Sequence, residues 1–204
     1  IRQWSTLHPE FAYLPRKFKI AVTGGPEDRA ASQVHDIGLH IVRNDEGEVG
    51  FEVLVGGGLG RTPFIGKVVR SFLPKQHLLS YLDAILRVYN LNGRRDNKYK
   101  ARIKILVDAM GVEAFSELVE AEWQSFGKDG QLTLTEAEIE RAKSFFKPLD
   151  YDLSAANDTS LAQQLADDKA FNAWYERNTV AHKVDGYRAV VVSLKPLLKA
   201  PGDI

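Results

Sequence analysis

Hydrophobic and polar residues follow two rhythms along this chain, and the change of rhythm divides it. Between residues 14 and 72 the apolar runs are short and rich in β-branched residues: Phe18–Thr23, Gly38–Arg43, Val49–Val55 and Lys67–Phe72. Turn-forming residues separate them, which is the pattern of strands. Asn44-Asp45-Glu46-Gly47 reads as the turn of a hairpin between the second and third runs. From residue 74 to 147 the period lengthens. Leu78, Leu79, Leu82, Ile85, Leu86 and Tyr89 recur at helical spacing, with Pro74 suited to a first turn and Asn92-Gly93 to a stop. A second helix is expected over Asp96–Met110, ending at Gly111, and a third over Val112–Phe126. Gly127–Gly130 is a polar break. Thr135, with Glu138 three residues on, predicts a capping box at the start of a fourth helix. Residues 148–160 read as a polar linker. A helix over Leu161–Asn178 and a strand over Tyr187–Leu194 follow, and Pro201-Gly202-Asp203-Ile204 reads as a turn into a further element. The expected class is α+β: a mixed or antiparallel sheet packed by helices over residues 1–147, then a smaller, incomplete α/β unit over 161–204.

Composition narrows the function classes. The chain has 204 residues, 44% of them hydrophobic, enough for one large domain or two small ones. Lys plus Arg and Asp plus Glu each number 27, so no global field draws the chain to nucleic acid or to an anionic membrane. No apolar run approaches the roughly 20 residues needed to span a bilayer. The opening IRQWSTLHPEF lacks the layout of a secretory signal, and cytoplasm is the default expectation. The first residue is Ile1 rather than Met, so the chain reads as an internal piece of a longer protein. There is no cysteine, which excludes disulfides, thiol nucleophiles and thiolate-bound zinc or iron–sulfur clusters held by these residues alone.

Three segments carry candidate chemistry. In Leu14-Pro15-Arg16-Lys17-Phe18-Lys19, alternation along an extended strand puts Lys17 and Lys19 on one face, about 6–7 Å apart along the chain. Arg16 and Phe18 face the other way. Two ammonium groups side by side suit a small anion and can protonate it, while Arg16 suits a carboxylate fork. The competing reading is a solvated strand entrance, where lysines discourage edge pairing. The run Val55-Gly56-Gly57-Gly58-Leu59-Gly60-Arg61-Thr62 permits close backbone approach to a flat or anionic ligand, or else forms a flexible hairpin loop. It is neither a dinucleotide fingerprint nor a P-loop. Arg94, Arg95, Lys98, Lys100, Arg102 and Lys104 form a basic cluster. On the expected helix Lys98 and Arg102 share a face, as do Lys100 and Lys104. Such cations oppose the helix dipole, which suggests an anionic ligand; a solvated face and RNA binding are the alternatives. The five histidines lack metal-ligand spacing, and His35, beside Asp36, reads as structural.

The order of these features is more specific than any one of them. LPRKFK, then His35-Asp36-Ile37-Gly38, then GFEVLVGGGLGRTP, then a basic helix start, resembles the haemoprotein subunit of sirohaem-dependent nitrite and sulfite reductases over about residues 10–125. Residues 179–204 resemble the start of that family's second ferredoxin-like half-domain, and residues 127–178 match less clearly. The resemblance implies six-electron reduction of sulfite to sulfide or nitrite to ammonia on sirohaem coupled to a [4Fe–4S] cluster. The electron donor would be ferredoxin or a flavoprotein subunit; membrane and nucleic-acid partners are not expected. It also implies that residues 1–147 belong to a sirohaem-binding domain. Lys17 and Lys19 fall on anion-binding, proton-donating lysines. Arg16 falls near the sirohaem carboxylates, and Gly56, Gly57 and Gly58 on backbone lining the cofactor. Arg95, Lys98, Lys100 and Arg102 fall in the region supplying further carboxylate contacts, and no residue falls on a metal ligand. The family's four cluster cysteines are expected beyond Ile204 and its other anion-binding arginines before Ile1, so the isolated piece is expected to be inactive. A non-enzymatic anion, phosphate or RNA module and an inactive paralogue of the reductase are the alternatives.

Overall fold

The computed structural model describes residues 1–127, 130, 132–147, 149–152 and 159–192. The chain forms two compact units, Ile1–Phe146 and Lys147–Ile204.

The first unit opens with a single helical turn, α1 (Arg2–Ser5), and a 3-10 turn at Phe11–Tyr13. Four strands follow: β1 (Ile20–Thr23), β2 (Ile37–Arg43), β3 (Val49–Val55) and β4 (Lys67–Pro74). They pair in the order β1-β2-β3-β4, the first pair parallel and the other two antiparallel, so the sheet is mixed. Residues 44–48 close the β2–β3 hairpin as the sequence predicts, with the Asn44 side chain accepting from the amides of Glu46 and Glu48. Two edges differ from expectation. The first strand begins at Ile20 rather than Phe18, because the amide of Lys19 donates to the Asp36 side chain instead of to a neighbouring strand. Pro74 ends β4 and precedes a 3-10 turn at Lys75–His77; it does not open the helix.

One face of the sheet carries the helical layer. Ile37 and Leu39 of β2, Val53 and Val55 of β3 and Leu73 of β4 are fully buried. They meet Tyr81, Leu82, Ile85 and Tyr89 of α2 (Leu78–Asn92), Ile103 and Val107 of α3 (Ile103–Met110), and Phe115 and Val119 of α4 (Val112–Glu122). Each such side chain removed from water stabilises the fold by about 1.5–3 kcal/mol before ordering entropy is counted. The α4 helix continues into a π-helical turn at Trp123–Gly127. There the buried Trp123 indole N–H donates to Ser80 Oγ at 3.0 Å. Further on, α5 (Glu136–Lys143) has the expected capping box, with Thr135 and Glu138 bonding reciprocally.

The expected helix over Asp96–Met110 is the main correction in this unit. Lys98–Lys100 form a 3-10 turn whose Tyr99 amide donates to the Asn97 side chain, and α3 starts only at Ile103. Arg102 is extended (φ −67°, ψ 150°) and serves as the N-cap. The shared helical faces of Lys98 with Arg102 and of Lys100 with Lys104 therefore do not form. A tertiary ion pair at Arg102 overrides the local helical pattern.

In the second unit, α6 (Ser160–Asp167) and α7 (Lys169–Asn178) replace the single expected helix. Asp168 breaks it by turning extended and capping the amides of Ala170 and Phe171 at 2.8 and 2.9 Å. A hairpin of β5 (Thr179–Ala181) and β6 (Arg188–Val190) follows. The expected strand over Tyr187–Leu194 is thus confined to Arg188–Val190 among the described residues. Ser193, Leu194, the closing Pro201–Ile204 turn and most of the expected linker (148 and 153–158) lie outside them. No helix among the described residues is long and apolar enough to cross a membrane.

Candidate anion and cofactor site

The Lys17–Lys19 segment is extended and alternates as predicted, although it lies outside the ladder. Lys17 and Lys19 are exposed, whereas Phe18 and Ile20 pack against the core. Phe18 is held edge-on to Phe11 at 5.5 Å; Phe11 stacks on His8 at 3.8 Å, and Trp4 stands edge-on to Phe11 at 5.0 Å. This aromatic row fixes Phe18 inward and so directs its two lysine neighbours outward. Among the described residues neither ammonium has an ion-pair partner.

Asp36, fully buried, lies beneath this segment. Arg102 reaches it with a fork, Nε to Oδ1 at 2.8 Å and Nη2 to Oδ2 at 2.7 Å. A carboxylate this deep is tolerable only when paired and fully hydrogen-bonded. Asp36 Oδ2 also accepts the Lys19 amide at 2.9 Å, and its backbone carbonyl accepts the Gly56 amide at 3.0 Å.

Gly56, Gly57 and Gly58 are buried, and the close approach they permit is to the chain itself. Gly56 has φ +88°. A Cβ on Gly57 would lie 2.4 Å from the Gln33 carbonyl oxygen and 2.5 Å from that of His35. On Gly58 it would lie 2.8 Å from Lys104 Cδ. The loop beyond is no flexible hairpin: Gly58 and Phe64 exchange backbone hydrogen bonds at 3.0 and 2.8 Å. Lys104, only 8% exposed, holds the tip from below, its ammonium donating to the carbonyls of Leu59 and Thr62 and lying 5.2 Å from the Phe64 ring. His35 is structural as expected, its Nδ1 lying 2.8 Å from the Ala31 carbonyl.

Arg16 and Arg95 tie the two basic stretches together. Arg16 donates to the Lys98 carbonyl and lies 5.9 Å from the Tyr99 ring, with Lys98 Nζ 5.3 Å from the same ring. Arg95 bridges the Tyr13 carbonyl at 2.8 Å and Asn90, backbone and side chain, at 2.7 and 2.6 Å. The Tyr89 hydroxyl, buried between them, faces the carbonyls of Ala101 at 2.7 Å and Arg16 at 3.2 Å, and burial pushes its phenol up to about 12. Lys98 and Lys100 are exposed without carboxylate partners among the described residues.

The structure thus gathers Lys19, Gly56 and Arg102 around Asp36, and Arg16, Lys98 and Tyr99 into a second group. Sequence reasoning gave Asp36 and Tyr89 no role in the site and placed Lys104 in a basic cluster facing an anionic ligand or solvent, whereas its ammonium is spent on the loop carbonyls. The buried Asp beside a turn was the available signal; the contacts themselves are non-local. No cluster of His, Asp and Glu among the described residues is placed to hold a metal ion.

Residues 1–125 match the family described as "Nitrite and sulphite reductase 4Fe-4S domain". The chain belongs to this family. It is 39% identical over 123 residues to the sulfite reductase [ferredoxin] of Synechococcus elongatus, covering 57% of this chain and 19% of that protein. It is 38% identical over 112 residues to the sulfite reductase [NADPH] hemoprotein beta-component of Staphylococcus haemolyticus, covering 52% and 19%. The ferredoxin–nitrite reductase of S. elongatus is 36% identical over 112 residues, covering 54% and 22%. The chain therefore spans about a fifth of the length of these relatives. Its fold matches the structure of the NirA protein of Mycobacterium tuberculosis, with a TM-score of 0.56 and 29% identity over 61% of this chain and 23% of that one. Like NirA, this member of the reductase family is α+β.

Proposed function

We infer that this chain forms the substrate-anion side of a reductase that converts sulfite to sulfide or nitrite to ammonia on sirohaem. The observation that carries this reading is the pair Lys17 and Lys19, exposed on one face, unpaired among the described residues, and fixed by the inward Phe18. Their Nζ atoms bind the anion's oxygens, neutralise charge and supply protons as those oxygens leave as water.

A polycarboxylate macrocycle fits the same surface, because Lys98 and Lys100 are exposed cations without carboxylate partners among the described residues. Sirohaem, when bound, supplies the iron on which the anion is reduced. Lys98 and Lys100 hold its carboxylates, with Arg16 and Arg95 supporting them through the Lys98 carbonyl and the residue 13 backbone. Gly56, Gly57 and Gly58 shape the floor of the site rather than bare it. A [4Fe–4S] cluster does not fit this chain, which has no cysteine, and its ligands come from elsewhere in the full-length protein. Residues 1–147 act as part of the sirohaem-binding domain and residues 161–204 as the start of a ferredoxin-like half-domain. The electron donor is ferredoxin or a flavoprotein subunit; the relatives' names give ferredoxin and NADPH. The piece by itself does not turn over.

The test is the visible spectrum of the full-length protein, purified from cells able to make sirohaem, before and after sulfite or nitrite. Haem bands that shift with the anion are expected, and Lys17→Ala and Lys19→Ala should retain haem while turnover falls by about 10²-fold or more. A colourless protein overturns the reading.

A further inference from the structure

The Lys19 peptide is gripped on both sides by adjacent residues. Its N–H donates to Asp36 Oδ2 at 2.9 Å and its carbonyl accepts the Ile37 amide at 3.1 Å. In an ordinary parallel ladder the acceptor for that N–H would be a backbone carbonyl. Here the Asp36 side chain takes over that task, while the Asp36 backbone carbonyl accepts the Gly56 amide at 3.0 Å on the side toward β3. One residue thus sets the placement of Lys19 relative to the glycine run. Its carboxylate cannot swing away, because Arg102 holds both oxygens by a fork and the residue is 0% exposed.

We propose that Asp36 is the positioning residue for Lys19, fixing where that lysine presents its ammonium to the anion. Arg102 is accordingly the counter-ion of Asp36, its Nε and Nη2 committed to that carboxylate rather than to a cofactor carboxylate. The proposal rests on the reading that Lys19 faces the substrate anion. Asp36 itself touches no substrate; it acts only through Lys19.

Two measurements separate this proposal from that reading. The first needs no activity and uses this chain. In its amide NMR spectrum the Lys19 proton is shifted downfield and protected from exchange by the charge-assisted bond. Asp36→Asn moves it upfield and speeds its exchange, leaving the amides of Leu39 and Val53 protected. The second is a double-mutant cycle in the full-length enzyme. Asp36→Asn raises the KM for the anion or lowers kcat by about tenfold or more at unchanged haem content, as a misplaced catalytic group does. In a Lys19→Ala background it has no further effect, whereas in a Lys17→Ala background its effect multiplies.

If Asp36→Asn does not fold, Arg102→Lys serves instead: it keeps a cation beside Asp36, removes the fork, and should move the same readouts in the same direction. An unchanged Lys19 amide overturns the proposal, as does an effect that multiplies with that of Lys19→Ala. A colourless full-length protein with a perturbed Lys19 amide overturns the reductase reading and leaves the clamp standing as a fact of the fold.

Discussion

Replacing Tyr89 with Phe removes one hydroxyl from the junction of both basic stretches and leaves the ring in place. The ring is fully buried, so no cavity beyond one oxygen results. The loss falls on the carbonyl of Ala101, a residue only 1% exposed, which accepts from the Tyr89 hydroxyl at 2.7 Å. The Arg16 carbonyl, at 3.2 Å on a half-buried residue, is more easily rehydrated and contributes less. Leaving one buried acceptor unmet costs about 1–3 kcal/mol, and a value of about 1.5 kcal/mol is expected here. With a urea slope of about 2 kcal/mol/M, the midpoint falls by about 0.5–1 M. Tryptophan fluorescence in a Trp174→Phe background restricts the signal to the first unit, which contains Trp4 and Trp123. The variant also changes the alkaline limb. Tyr89 ionises near 10.0 when unfolded and at about 12 when folded, so its contribution is complete below pH 10 and is lost as pH climbs toward 12. Tyr81, also raised by burial and by Glu120, keeps part of that slope, so Tyr89→Phe flattens the limb without abolishing it. A change below about 0.3 kcal/mol, within ordinary surface-substitution noise, would refute the claim that the Ala101 carbonyl depends on this hydroxyl.

Gly57→Ala forces a methyl group against two backbone carbonyls that cannot move independently of Asp36, and should cost about 2–3 kcal/mol in urea unfolding. Gly25→Ala, with no contact closer than 3.6 Å, serves as the control and should be nearly silent. Thr135→Ala should weaken α5 by about 1 kcal/mol, read from the 13Cα shifts of residues 136–143. The partner Glu138 has its carboxyl held below the usual range by the Thr135 amide and hydroxyl. Its support of α5 is therefore present above the ordinary Glu value and lost as pH falls through the lower folded one. A helix signal indifferent to acid over that window would contradict the capping box.

Local chemistry accounts for the parts of the fold legible in the sequence. The β2–β3 hairpin carries its own turn in Asn44–Gly47, α2 its own apolar stripe, and α5 its own cap. What stays hidden is set by partners far along the chain. Arg102 lies in a stretch with helical spacing, yet it is extended because its guanidinium is committed to Asp36, 66 residues away. Lys104 follows the spacing of a solvated cation, but its ammonium closes the loop at Leu59 and Thr62. Asp168 breaks a helix that the apolar periodicity alone would continue. In the site, the outward pairing of Lys17 and Lys19 is legible because a period of two needs only extended backbone. The close approach at Gly57 is legible too; that its occupants are the carbonyls of Gln33 and His35 is not.

Phe18 also has a consequence for how this surface can vary. With an aromatic plug seated between two outward ammonium groups, the segment behaves like a toothed rack with one tooth engaged. Sliding it by a single residue would drive a cation into the apolar interior and expose the ring, so insertions and deletions between Arg16 and Ile20 are closed to it. The charge that this face presents can therefore change only through exchanges of one side chain for another at fixed positions.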